Sequence, residues 1–461
     1  MLSASARPIR GDAEFAAPSP DGKQIAFVSS KDQPMIMVAG ANGEDARKVF
    51  GLDAGQLGAT PSGARIGLSW SPDAKRIAFA RYDRAQSRLS IEAVDAATGK
   101  TTEVIVDPGI RALTWSPDAR ILFAKEHESA ASDETDLYSI EVDPATGRPG
   151  GDAQKITDAV GFQLAHLSVT ADAARLAVVK ESRQSDVYMG DLNGGAFRPQ
   201  RFTLDERNDA PSGWTADSAT LLFHSERNGT ADIFRQAATA PAPEQFVLNP
   251  DQQAGARVTP SGADVLYWSF AGRPNLARGA MKLKRIGIDG GPPYDVLDAP
   301  AGSSFRCTRS ACVLAEPDGS ALRFSALDPE NGRGAELLRI EAPRAEWDLA
   351  PDGGSIAVLD RRSKSIRVHP LRGGTARVVV AAGMPGGAGD FAYDATGRGF
   401  FVASNSSRGN VLASVAMDGR VKPLWEERTS LLGGLTPSPD GKRLAFSITV
   451  RNANAWLIEE F

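Results

Sequence analysis

The fold is decided by the stretch Ala17-Pro18-Ser19-Pro20-Asp21-Gly22-Lys23-Gln24-Ile25-Ala26-Phe27-Val28. Its Ser-Pro-Asp-Gly part has the residues of a tight turn, because Pro20 presets φ, Asp21 can bond to the backbone two residues on, and Gly22 accepts a positive φ. The apolar run at its end is typical of a buried strand. The stretch therefore predicts a turn followed by a strand.

The same pattern returns along the whole chain. Weaker copies occupy 258–267 and 393–402, and the clear copies have the turn residues Asp21, Asp73, Asp118, Asp172, Asp217, Asp352 and Asp440. Most neighbouring copies are about 45 residues apart, and positions 217 and 352 are separated by about three such steps. The stretch 305–314 fills the remaining gap with a different turn. The sequence thus predicts about ten repeated units.

Each unit has the signals of four short strands. In one unit, the Asn228-Gly229 pair predicts a hairpin, and residues 232–235 alternate apolar and polar side chains as an exposed strand does. No stretch shows convincing helical periodicity. We therefore expect an all-β fold, a β-propeller of about ten four-stranded repeats.

Propeller rings usually have about 4–8 blades, so ten units predict either one large ring or two rings. The loosest loop, 143–152, favours a boundary near residue 160. Residues 1–160 would then contain three units and residues 161–461 seven. The last unit stops at its third strand, and we expect Ala6–Arg10 to supply the missing outer strand.

Composition excludes several classes of function. The 461 residues include 52 Lys and Arg against 57 Asp and Glu, a formal net charge of -5. Nucleic-acid binding is not expected, because it demands a basic excess. No stretch approaches the roughly 20 apolar residues of a membrane span, so we expect no direct membrane insertion. The N-terminus lacks the apolar core of a signal peptide, which predicts a cytoplasmic protein, or an extracytoplasmic one if the chain is the sensor part of a longer membrane protein.

The repeat resembles the TolB-type, WD40-like propeller repeat (PD40) over essentially the whole chain. The segments 202–209, 214–218, 232–236 and 454–461 are similar to propeller regions attached to bacterial serine/threonine kinases and winged-helix regulators. The resemblance implies a scaffold or sensor of a bacterial signalling protein, with a protein or small-molecule ligand at a propeller face. The kinase or DNA-binding effector has no counterpart here, and Asp390-Phe391-Ala392 is the nearest approach to a kinase Asp-Phe-Gly motif.

Catalysis is not expected. The chain has no Gly-x-Ser-x-Gly elbow, and its four histidines, His127, His166, His224 and His369, fall in separate units, where we interpret them as surface residues. We predict no catalytic, cofactor-binding or metal-binding residue, and no cofactor. The alternatives to the signalling interpretation are a periplasmic TolB-like scaffold and an accessory propeller of a prolyl-oligopeptidase-like peptidase.

Two charged segments are interpreted as solvated surface. The acidic segment could bind a hard cation, although nothing in it fixes a ligand geometry, and it contains Glu126, His127, Glu128, Asp133, Glu134 and Asp136. The basic segment alternates as an exposed strand does, and it contains Arg273, Arg278, Lys282, Lys284 and Arg285.

Cys307 and Cys312 flank a four-residue turn. On a hairpin they would lie opposite each other, at a Cα separation compatible with a disulfide, which would indicate an oxidising compartment. Two buried thiols in a reduced protein are equally compatible with the sequence.

Overall fold

The computed structural model describes residues 11, 13–29, 34–52, 67–83, 88–127, 134–158, 161–270, 281–342, 345–360, 365–381, 384, 387–406, 409–459 and 461. Within these ranges every helix or strand is a β-strand, and the strands pair into nine sheets. The same residues contain no helix that is long and apolar enough to span a lipid bilayer.

In chain order the strands are β1 (Ala13–Pro18), β2 (Gln24–Ser29), β3 (Met35–Gly40), β4 (Arg47–Gly51), β5 (Leu68–Trp70), β6 (Arg76–Asp83), β7 (Arg88–Asp95), β8 (Thr101–Val106), β9 (Ile110–Trp115), β10 (Arg120–Glu126), β11 (Thr135–Glu141), β12 (Gln154–Lys155), β13 (Gln163–Val169), β14 (Arg175–Asp191), β15 (Gln200–Arg201), β16 (Asp209–Trp214), β17 (Thr220–Ser225), β18 (Asp232–Ala237), β19 (Glu244–Gln245), β20 (Gln252–Val258), β21 (Asp264–Phe270), β22 (Met281–Gly287), β23 (Tyr294–Ala299), β24 (Ser304–Cys307), β25 (Cys312–Asp318), β26 (Ala321–Asp328), β27 (Gly332–Ile340), β28 (Trp347–Leu349), β29 (Ser355–Asp360), β30 (Ser365–Pro370), β31 (Arg377–Val380), β32 (Gly387–Tyr393), β33 (Gly399–Asn405), β34 (Asn410–Ala416), β35 (Val421–Glu427), β36 (Leu431–Pro437) and β37 (Arg443–Glu459).

The chain divides into two compact units. Unit 1 is Met1–Ser182 with Asn452–Phe461, and unit 2 is Arg183–Arg451. The described part of unit 1 contains the four-stranded sheets β1–β4, β5–β8 and β9–β12, followed by a sheet in which β13 pairs with the first half of β14. In each four-stranded sheet the strands follow one another in chain order, which is the arrangement of a propeller blade.

Unit 2 is a closed ring in the residues that the structure describes. Five sheets, β16–β19, β20–β23, β24–β27, β28–β31 and β32–β35, follow in chain order, and the sixth combines β36 and the first half of β37 with the second half of β14 and with β15. The innermost strands contact one another in the cycle β16, β20, β24, β28, β32, β36 and back to β16. The predicted all-β propeller class is therefore confirmed.

The repeated turn works as its residues predict. In the first copy the Ser19 hydroxyl donates to Asp21 Oδ1 at 2.6 Å, and the Lys23 amide donates to the same oxygen at 3.1 Å. The residue after the aspartate has a positive φ in every clear copy, including copies in which it is alanine or serine, such as Ala173 at 56°. A residue with a side chain is strained in this left-handed region, so the turn geometry is imposed by the rest of the repeat.

The second strand of each four-stranded repeat contributes to the hydrophobic core. The aromatic residue of this strand is at most 2% exposed in five clear copies, at Phe27, Phe79, Phe123, Phe223 and Phe446. These side chains account for the apolar run that follows each turn in the sequence.

The sixth sheet of unit 2 joins the two ends of the ring. Thr449 Oγ1 donates to Ser185 Oγ at 3.1 Å, and the Leu192 amide donates to the Lys442 carbonyl at 2.8 Å, so the two strands run antiparallel. The outer strands of the last repeat therefore come from residues 183–201. The expectation that Ala6–Arg10 would supply them is corrected by this pairing, and residues 6–10 themselves lie outside the described residues.

Candidate functional site

A cavity of about 920 Å³ lies inside unit 2 and is lined by residues from the innermost strands of all six sheets. Side chains alternate between the two faces of a strand, so only part of each innermost strand faces the cavity. One such position is the second residue before the repeated turn. Around the ring it is occupied by Gly213, Arg257, Arg306, Asp348, Ala392 and Thr436.

Two arginines form a basic wall on adjacent sheets. Arg306 lies on β24, where its Nε is 3.5 Å from Asp348 Oδ1 and its guanidinium stacks 5.3 Å from the centre of the Trp347 ring. Arg257 lies on β20 and donates from Nη1 to the Ala256 carbonyl at 3.1 Å. Among the described residues no carboxylate lies within 4.0 Å of the Arg257 guanidinium. Burial, together with the charge of Arg306, lowers the pKa of Arg257 to about 9, and the charge of Asp348 opposes this shift in part.

Two aspartates form an acidic wall on the next two sheets. Asp348 on β28 accepts a hydrogen bond from the Tyr393 amide at 2.8 Å, and burial raises the pKa of its carboxyl above the ordinary value. Asp390 on β32 accepts hydrogen bonds from the amides of Phe391 at 2.8 Å and Leu435 at 3.0 Å. Backbone amides therefore fix the orientation of both carboxylates at the cavity.

His224 is the histidine that lines the cavity. It lies on β17, and burial lowers the pKa of its imidazole to about 4, so the ring is neutral near pH 7. Its Nδ1 is buried and has no hydrogen-bond partner in the described part of the chain. The interpretation of His224 as a surface residue is corrected by this position.

The remaining wall, from β16 and β36, has no charged side chain among the described residues and includes several small residues. Pro211 and Gly213 on β16, and Gly433 and Gly434 on β36, leave open space opposite the charged groups. A Cβ atom built on Gly433 would lie 3.8 Å from Ser447 Oγ and 4.0 Å from Asp390 Oδ2, which is ordinary contact distance. A large side chain at position 433 would therefore project into the cavity without a clash at its base.

The hairpin with the two cysteines lies at the edge of the cavity. Cys307 and Cys312 are directly opposite each other on β24 and β25, and the structure joins them as a disulfide with a Cα separation of 4.1 Å. Arg309, between them in the chain, donates from its guanidinium to the carbonyl of Ala216. The hairpin thereby contacts the turn that follows β16.

The other charged segments of the sequence form ion pairs. In unit 1, His127 Nε2 lies 2.6 Å from Asp136 Oδ2, and Lys155 Nζ lies 2.8 Å from the same oxygen, while Glu128 and Asp133 are outside the described residues. No group of three or more His, Cys, Asp or Glu side chains in the described ranges is arranged to hold a metal ion.

In the basic segment, the ammonium groups of Lys282 and Lys284 lie 2.9 and 3.0 Å from the carboxylate of Asp295. Arg273 and Arg278 of the same segment are outside the described residues.

Four charged residues of the cavity are not predicted as site residues from the sequence: Arg257, Arg306, Asp348 and Asp390. The sequence repeats contain a signal for three of them. The two residues before the turn are otherwise small or apolar, while Arg257, Arg306 and Asp348 place a charge at the second residue before the turn. Burying a charge between two packed sheets is costly, so a charge that recurs at one position of the innermost strand is expected to face the open centre of the ring.

No protein-family model matches the sequence, and no curated protein matches it. Among solved structures, the chain is similar to TolB from Acinetobacter baumannii, with 14% identity and a TM-score of 0.21 over 90% of this chain and 65% of that chain. It is similar to the Dos1 propeller, with 10% identity and a TM-score of 0.31 over 90% and 94% of the two chains. It is also similar to a puromycin-hydrolyzing peptidase of Mycobacterium tuberculosis, with 14% identity and a TM-score of 0.28 over 76% and 58%.

Proposed function

We propose that this chain is a non-catalytic β-propeller that binds a ligand in the axial cavity of unit 2. The observation that carries the proposal is the set of charged side chains that face this cavity of about 920 Å³ from four of its six sheets. Its volume is within the range of roughly 300–1,000 Å³ that is usual for ligand sites. Charged groups at a poorly solvated surface are costly unless something compensates them, and a bound ligand of matching charge would do so.

The geometry of the cavity favours binding over catalysis. Acyl transfer needs a nucleophile beside a base that a third group orients. The one cysteine in the described cavity wall, Cys307, is in the disulfide, and His224 has no carboxylate bonded to its ring among the described residues. The aspartates are held by backbone amides, which suits them to fixed recognition of a ligand.

The biological role that we propose is a sensor or interaction module of a bacterial signalling protein, with the kinase or DNA-binding effector on another part of that protein. Support comes from the likeness of the repeats to propellers attached to such effectors. Ligand binding in the ring would be the event that is sensed.

A periplasmic TolB-like scaffold is a second candidate, and the disulfide between Cys307 and Cys312 favours it, because disulfides persist in oxidising compartments. Alkylation of intact cells that express the natural protein separates the two compartments. Both cysteines reduced in the cell would contradict the periplasmic scaffold.

The test of cavity binding is thermal unfolding of the full chain with amino acids, short peptides, dicarboxylates, sugar phosphates and neutral sugars. The variant Gly433→Trp narrows the cavity beside Asp390, and Leu248→Trp is its control, since Leu248 is 80% exposed on the outer side of unit 2. We expect at least one class of compound to raise the melting temperature of the wild type and of the control, and not of Gly433→Trp. Stabilisation that Gly433→Trp retains, or no stabilisation by any class, would contradict the proposal.

A further inference from the structure

The charges of the cavity are arranged by sign around the ring. Going round the cycle of innermost strands, β20 and β24 carry Arg257 and Arg306, β28 and β32 carry Asp348 and Asp390, and β36 and β16 present only uncharged residues among those described. The cavity therefore has a positive side and a negative side.

One pair of these charges compensates itself. Arg306 and Asp348 belong to adjacent sheets, and the 3.5 Å between Nε and Oδ1 makes them an ion pair. Within the described residues, Arg257 has no carboxylate within 4.0 Å, and Asp390 has no Lys, Arg or His nitrogen within that distance. On the innermost strands, Arg257 and Arg306 thus share the charge of one nearby carboxylate, Asp348, and Asp390 has no cation beside it.

Arg257 and Asp390 lie on opposite sheets. In the cycle of six innermost strands, β20 and β32 are separated by two strands in either direction, so Arg257 and Asp390 face the cavity from opposite sides. Fixed opposite charges across a cavity fit a ligand that has one negative and one positive end.

We propose that the cavity binds a zwitterionic ligand of the amino-acid or short-peptide class, with its carboxylate on Arg257 and its ammonium group facing Asp390. This inference rests on the proposed binding function of the cavity and specifies its ligand. Arginine presents parallel N–H donors that match a carboxylate, and the Asp390 carboxylate keeps lone pairs beyond the two that its backbone partners use.

The charge of the site favours this class over phosphates and dicarboxylates. A dianion at Arg257 would meet the one positive charge by which the two arginines exceed Asp348, and its second charge would face the acidic wall. The single carboxylate of a zwitterion is matched by Arg257 alone. The ammonium group of the same ligand is attracted by the acidic wall.

Blocked peptides test the proposal on the unmodified protein. Binding of trialanine to the full chain is measured by calorimetry beside C-amidated trialanine, N-acetylated trialanine and free alanine, at concentrations up to roughly 10 mM. We expect one of the two unblocked compounds to bind and each block to weaken binding by about tenfold or more, since each removes a charge-assisted hydrogen bond. Free alanine separates an amino-acid ligand from a peptide.

Two variants assign the ends of the ligand. Arg257→Gln should make the free and amidated peptides bind equally, and Asp390→Asn should do the same for the free and acetylated peptides. The control is Arg235→Gln, because Arg235 lies on β18, outside the cavity, where it pairs with Glu244. This control should keep the wild-type preference for the unblocked peptide.

The outcomes distinguish the inference from the proposed function. Equal binding of blocked and unblocked peptides by the wild type would overturn the zwitterion proposal, whatever the variants do. The zwitterion proposal is also overturned if unblocked peptides and alanine do not bind while another class of compound does. If Gly433→Trp abolishes the binding of that other class, the proposed binding function of the cavity still stands.

Discussion

Protonation of His224 should destabilise unit 2 in mild acid. Burial lowers the pKa of this imidazole from 6.5 to about 4, so the folded protein binds the proton less readily than the unfolded chain. The stability is therefore complete above pH 6.5 and is lost as the pH falls from 6.5 towards 4. With 1.36 kcal/mol for each pKa unit, the loss between pH 7.5 and pH 5 is about 2 kcal/mol.

The variant His224→Asn removes this titration. Urea unfolding followed by tryptophan fluorescence at the two pH values should show that the variant loses about 2 kcal/mol less stability than the wild type. The control is His166→Asn, because His166 is exposed and its φ of 50° is a conformation that asparagine accepts. If the wild type and His224→Asn lose the same stability, the imidazole is not held neutral by burial and the position assigned to it is wrong.

Two further predictions concern the repeated turn and the hairpin. Ala173→Gly should raise the free energy of unfolding by about 1 kcal/mol, because φ at this position is 56°. Gly441→Ala should lower the free energy of unfolding by a similar amount, because φ at position 441 is 71°. Urea unfolding measures both changes, and the opposite signs would contradict the turn geometry. Thiol titration of the denatured protein, purified without reductant, should find no free thiol and two after reduction, because Cys307 and Cys312 are the two cysteines of the chain; two free thiols before reduction would contradict the disulfide.

The repeated turn could be predicted because its chemistry is local. Pro20, Asp21 and Gly22 specify a turn within four residues, and the apolar residues after it specify a strand that is covered on both faces. Local signals of this kind recur often enough to define the sheets of a propeller before any contact is known.

Ring closure could not be predicted, because it depends on contacts between distant residues. Ser185 and Thr449 are 264 residues apart and have no special local pattern. Strand β14 contains neither glycine nor proline between Arg175 and Tyr188, so nothing in the sequence marks the point at which the chain passes from unit 1 to unit 2.

The cavity could be predicted only in part. The charged residues before the turn are visible as exceptions in apolar strands, yet their sign and spacing gain meaning only when the order of sheets around the ring is known. Arg257 and Asp390 are 133 positions apart in the sequence, and the cycle of innermost strands places them on opposite sheets.

The central claim is that residues 183–201 close the ring of unit 2 against residues 431–451, because the cavity exists only in a closed ring. The direct measurement is a cross-link between Ser185→Cys and Thr449→Cys, whose native hydroxyl oxygens are 3.1 Å apart, with the two single variants as controls. After oxidation and proteolysis, mass spectrometry should find the peptides of positions 185 and 449 joined within one chain. Free thiols at both positions, or cross-links only between molecules, would contradict the closed ring.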